Sequence, residues 1–146
     1  MTLFTSEKNK KATLRTVYIY IGLTAFIALF GFIYEIFSHN VFSPDMSFAW
    51  AWLLGFGVGV YALLALLPIE RVPGILLSSI YNFGVAMITA RSIFIGVIEI
   101  YGNKGIAKES ILNAYLIISL IFLILGFISY AVIIVLGLVK KKYQQD

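Results

Sequence analysis

The sequence predicts an all-α integral membrane protein, an up-down four-helix bundle, and three observations carry that reading. First, 61% of the 146 residues are hydrophobic, only 12% are charged, and mean hydropathy is +0.97. A soluble domain needs far more charge to cover a surface that faces water. Second, the apolar residues gather into four runs, each long enough to cross a hydrocarbon core about 30 Å thick. Third, these runs lack the alternation of barrel strands, so in lipid their backbone groups are satisfied only within helices.

The first run, Val17–Phe37, follows Lys8, Lys10, Lys11 and Arg15. It is too long for the apolar region of a signal peptide. Tyr34, Glu35, Ile36 and Phe37 stand where small residues would mark cleavage, so it reads as an uncleaved span. The second, Phe48–Leu67, carries no charge and stops at Pro68, which cannot continue a helix interior. The third, Ile75–Ile98, is interrupted by Arg91, and the fourth, Ala114–Val139, is uncharged and ends in Lys140, Lys141 and Lys142. The spans are therefore placed at about 15–37, 48–67, 75–100 and 112–139 of a single domain. Residues 1–12 and 140–146 are expected as solvated cytoplasmic tails. The loops, about Ser38–Ser47, Pro68–Gly74 and Tyr101–Asn113, are short, which favours antiparallel neighbours.

Charge sets the direction. With the N-terminus inside, Lys8, Lys10, Lys11, Arg15, Arg71, Lys140, Lys141 and Lys142 lie on the inner side, and only Lys104 and Lys108 lie outside. That asymmetry places both termini in the cytoplasm of a multi-pass plasma-membrane protein. Trp50 and Trp52 are expected at the outer interface, Tyr18 and Tyr20 at the inner one. The net charge of +4 is an orientation signal at span ends, not a nucleic-acid surface. With no cysteine in the chain, disulfides, thiolate metal sites and cysteine nucleophiles are excluded. The expected partners are the lipid bilayer and either another membrane protein or a second copy. No cofactor and no catalytic residue is assigned.

Arg91 is the most informative residue. It lies about 24 Å along its helix, where an arginine costs roughly 2.5–3.5 kcal/mol and calls for a partner or a wet cavity. The N-terminal lean of helical side chains aims it towards the midplane. Glu35 and Glu99, near the outer ends of their helices, are the candidate partners. Glu99 is two turns further along the same helix, so Glu35 is preferred. His39 is four residues from Glu35 and shares its face if the helix continues, and Asp45 lies in the same loop. Arg91, Glu35, Glu99, His39 and Asp45 thus form a candidate polar cluster, able to fix packing or to hold an ion, a proton or a ligand. A single histidine makes neither a haem pair nor a zinc site unless subunits pair. Asn82, Thr89, Ser92 and Ser129 are expected as helix glue. Gly55-xxx-Gly59, and more weakly Ser92-xxx-Gly96, offer grooves for close helix approach. No strand precedes these glycines and no lysine follows, which removes a phosphate loop.

The stretches YEIFSHNVFSPDMSFAWAW at Tyr34–Trp52 and YNFGVAMITARSIFIGVIEIYG at Tyr81–Gly102 resemble uncharacterised small four-span membrane proteins of Gram-positive bacteria. The resemblance covers the first three spans, implies no activity, and implies that Glu35, Ser38, His39, Arg91 and Glu99 belong to one feature. The expected function is a non-enzymatic accessory or regulatory subunit of a membrane complex. One alternative is an oligomeric transporter or channel for an ion or small anion, lined by Arg91 and Glu35. The other is an outer-leaflet site for a lipid-like ligand, built on Glu35, His39, Asp45 and Arg91.

Overall fold

The computed structural model describes residues 2–38, 41–66, 74–101 and 109–143, with side chains over 10–38, 41–66, 74–100 and 111–136. All elements among them are helical. Helix α1 runs Thr2–Phe37. No proline interrupts it, and the segment expected as a solvated tail is already helical from Thr2. It ends where Ser38 turns the chain: the Ser38 N–H and hydroxyl both donate to the Glu35 carbonyl, and the hydroxyl also reaches the Val41 carbonyl.

The segment expected as an outer loop contains a short helix, α2 (Pro44–Ser47). Ser43 caps it in an extended conformation, Pro44 sits at its first position and Asp45 lies in its first turn. These are the residue types that start a helix, because they satisfy or dispense with its free N–H groups. Phe48, at φ −105° and ψ 8°, breaks α2 from α3 (Ala49–Trp52). From α3 the chain passes into a π-helical stretch, Leu53–Gly59, and then α4 (Val60–Leu66). Together these make one apolar rod, Ala49–Leu66. π-Helix is rare because its wide turn packs poorly; here the sequence LLGFGVG supplies glycines that tolerate it. The rod buries Ala49, Leu53, Gly57 and Tyr61, a four-residue repeat that suits the wider turn. Helices α5 (Ile75–Tyr101) and α6 (Glu109–Tyr143) complete the chain. Four stretches, Lys10–Phe37, Ala49–Leu66, Ile75–Ile100 and Ile111–Leu136, are long and apolar enough to cross a membrane.

The contacts run in opposite chain directions between neighbours. Gly31 meets Met46 while Gly57 meets Tyr20. Trp52 bonds Ser92 while Tyr61 bonds Asn82. Phe94 meets Tyr115 while Phe83 meets Phe122. Consecutive helices pack together, with α1 on the Ala49–Leu66 rod, the rod on α5, and α5 on α6. Side chains also reach past these neighbours, Phe56 and Tyr61 of the rod meeting Phe127 and Tyr130 of α6, and Tyr20 of α1 bonding Asn82 of α5. Among the described residues no extensive packing joins α1 to α6, the contact that would close a four-membered ring. The two middle stretches accordingly bury 28% and 33% of their residues, against 17% and 22% for the flanking ones.

Small residues permit the close approaches. A Cβ on Gly84 would lie 2.8 Å from the Leu123 backbone nitrogen, so α5 and α6 approach backbone to backbone there. Gly57 lies against the Tyr20 ring so closely that a Cβ would overlap it. The expected groove glycines are not used within the chain: Gly55 has nothing within 4 Å, and Gly59 meets only a carbonyl of its own rod. The intervening Gly57 is the one on the buried stripe. Gly96, by contrast, does line a close contact, and its partner is Met46 of α2.

Candidate functional site

At one end of the molecule two carboxylates hold α2 from opposite sides. Ser47 donates a hydrogen bond to Glu35 of α1, and Ser43 donates to Glu99 Oε2 of α5 at 2.5 Å. Ser43 and Met46 are almost wholly buried. The Met46 side chain fills a socket made by two missing side chains: Gly31, where a Cβ would sit 3.1 Å from the Met46 carbonyl oxygen, and Gly96, where it would overlap Met46 Cβ. One turn away from Gly96, Ser92 accepts a 3.0 Å hydrogen bond from Trp52 Nε1. Trp52, expected as an interfacial ring, therefore anchors the rod to α5. Asp45 looks instead into a cleft of about 390 Å³ that it shares with Phe48, Trp52, Phe56 and Ser92.

Arg91 has a different partner from the one expected. The structure contains no Glu35–Arg91 pair: Glu35 is held by Ser47, and Arg91 Nε donates to the Leu112 carbonyl of α6 at 3.2 Å. The reason lies in register. Gly84 faces Leu123 and Phe94 faces Tyr115, so Arg91 is level with residues near 116. It bonds about one turn closer to the α5–α6 connection, against the N-terminal lean. The guanidinium thereby climbs towards the end of the apolar stretch, as snorkelling arginines do. It lines a pocket of about 140 Å³ with Phe94, Ile98, Ile111, Leu112 and Tyr115.

Of the five expected cluster residues, three carboxylates thus gather at α2 and Arg91 stands apart. Glu35 and Glu99 clasp α2, Asp45 faces the aromatic cleft, Arg91 lies between α5 and α6, and His39 is outside the described residues. Among the described residues no three His, Asp or Glu side chains group as metal ligands do.

The largest polar assembly lies nearer the other end, and sequence reasoning missed it. Each of the four apolar stretches contributes a tyrosine: Tyr20, Tyr61, Tyr81 and Tyr130. Asn82 Oδ1 accepts from Tyr20 at 2.9 Å and from Tyr61 at 2.7 Å, and the Tyr61 and Tyr130 hydroxyls are 2.9 Å apart. Tyr81 donates to the Phe56 carbonyl at 2.6 Å. That carbonyl lies in the π-helical stretch, where the wide turn alters which backbone groups pair internally. Tyr20 stacks on Tyr61, with ring centroids 5.6 Å apart, and Tyr81 lies 5.0 Å from Tyr130. Gly126 makes room for the Tyr81 ring; a Cβ there would come within 2.6 Å of it. Tyr20, expected at the inner interface, is buried, while Tyr18 is 71% exposed. The available signal was level: Tyr61 is five residues from one end of its rod and Tyr81 is six from the matching end of α5.

Among the expected glue residues, Asn82 and Ser92 bond between helices, whereas Thr89 and Ser129 bond back to carbonyls of their own helices. Comparison with protein-family models, curated proteins and solved structures returns no match.

Proposed function

We propose that this is a small multi-pass protein of the plasma membrane, its four helices up-down, its termini cytoplasmic, acting as a non-enzymatic accessory or regulatory subunit of a membrane complex. The observation that carries the reading is that the two largest groups of polar side chains, one towards each end, are engaged in joining helices. Asn82 and the tyrosines tie together all four stretches, and Ser43, Ser47 and Ser92 tie the rod and α2 to their neighbours. A transport path within one chain would need polar groups open from one face to the other. Here the tyrosine rings and the seated Met46 fill both levels. The Lys and Arg asymmetry supports the orientation, and antiparallel neighbours support the up-down course.

The exposed apolar flanks of α1 and α6 leave room for a partner in the plane of the membrane. Native mass spectrometry of tagged protein, extracted gently from its own membranes, tests this. The expected result is a stoichiometric second protein. A chain that is always alone, and that passes ions when reconstituted by itself in liposomes, would overturn the subunit reading in favour of transport.

A further inference from the structure

We propose that the pocket between α5 and α6 binds the phosphodiester of an anionic phospholipid, with Arg91 and the Tyr115 hydroxyl as donors and Phe94, Ile98 and Ile111 against the first acyl carbons. The inference rests on the reading that the chain spans a bilayer. Three observations lead to it. Only Nε of Arg91 is engaged, at the Leu112 carbonyl; its remaining N–H groups and the Tyr115 hydroxyl have no hydrogen bond among the described residues. Neither is a sealed, unsatisfied group, since no buried side-chain polar atom among the described residues lacks a partner. Both line one pocket of about 140 Å³ whose other walls are apolar.

Depth selects the ligand. Arg91 is ten residues before the end of α5, well inside the apolar stretch, yet its side chain reaches the first turn of the stretch that begins at Ile111. The guanidinium thus lies within about a turn of the end of that apolar stretch, on the side where headgroups would stand. Its planar donors match phosphate oxygens two at a time. A bound phosphodiester also supplies what an arginine in lipid lacks, a counter-charge. The Phe94–Tyr115 ring pair, centroids 6.1 Å apart and tilted 47° to each other, lines one side of the pocket.

The test is native mass spectrometry of delipidated protein in detergent, titrated with phosphatidylglycerol, with phosphatidylcholine, and with inorganic phosphate as competitor. Wild type is expected to hold one phosphatidylglycerol about ten-fold more tightly than phosphatidylcholine, because the choline cation sets a like charge near Arg91 beside the same phosphodiester. Arg91→Gln should reduce that preference to about two-fold or less, with an unchanged melting temperature in lipid-free detergent. Tyr115→Phe and Arg91→Lys should each lower it about three-fold, and they carry the test if Arg91→Gln does not fold. Equal binding of the two lipids by wild type overturns the proposal. So does a preference that survives in Arg91→Gln, or displacement of the lipid by inorganic phosphate at equal concentration. Failure of the membrane reading looks different: the protein would stay soluble without detergent and retain neither lipid.

Discussion

Met46 is held by what its neighbours lack. Its Cβ and backbone, not the flexible end of its side chain, face Gly96. A methyl at that position cannot be accommodated by a rotamer change, so Gly96→Ala should destabilise by about 1–3 kcal/mol, the range for overpacking. Shortening the probe does not help, because Met46→Ala retains the Cβ that collides. Gly55→Ala is the control: nothing lies within 4 Å, and the change should be neutral or stabilising by about 0.5–1 kcal/mol. Thermal aggregation in detergent separates the two. Arg91 and Glu35 invite a second residue-scale test. Because they share no partner, a double-mutant cycle on Arg91→Gln and Glu35→Gln should give a coupling below about 0.5 kcal/mol. A coupling above about 1 kcal/mol would mean that they pair after all.

At the scale of elements, α2 is the piece that sequence patterning describes least well. Four residues have no hydrophobic period to read, and PDMS sits in a segment whose composition suits a loop. Its local signal, Ser43 before Pro44 and Asp45, was present as a helix start, but its burial depends on Gly31 and Gly96 from two other helices. Ser43→Ala removes the cap and leaves Glu99 without its donor. Because Glu99 is exposed, the loss should be confined to about 1–2 kcal/mol, read from chemical or thermal unfolding. The rod makes a sharper prediction. Gly57→Ala drives a methyl into the Tyr20 ring and should be among the most damaging single-atom changes in the chain. Combined with Tyr20→Ala its further cost should shrink markedly, since the obstructing ring is gone. Glycine spacing alone could not choose Gly57 over Gly55 and Gly59, because a helical wheel drawn at 3.6 residues per turn does not describe a π-helical stretch.

For the molecule as a whole, four long apolar helices were legible because hydropathy alone marks them. The contacts beyond consecutive helices, of the rod with α6 and of α1 with α5, were not, since short connections place only chain neighbours side by side. The tyrosine layer was hidden for a related reason. Tyr20, Tyr61, Tyr81 and Tyr130 are far apart in sequence, and their common level emerges only when the register of three interfaces is known. Once assembled the layer behaves as one object, so Tyr61→Phe should cost more than an isolated hydroxyl. It removes a donor to Asn82 and the partner of Tyr130 together, an effect of about 1–3 kcal/mol. The absence of cysteine makes topology directly testable. In intact cells an impermeant thiol reagent should label Phe42→Cys and leave Lys10→Cys untouched until the membrane is opened. The reverse pattern would invert the orientation.

The Met46 socket also dictates an order of events during synthesis. One of its walls, Gly31, leaves the ribosome before Met46 and the other, Gly96, well after it. Until α5 arrives, α2 has half a seat and the carboxylate of Glu99 does not yet exist to hold Ser43. The seat of α2 is therefore complete only when α5 comes alongside.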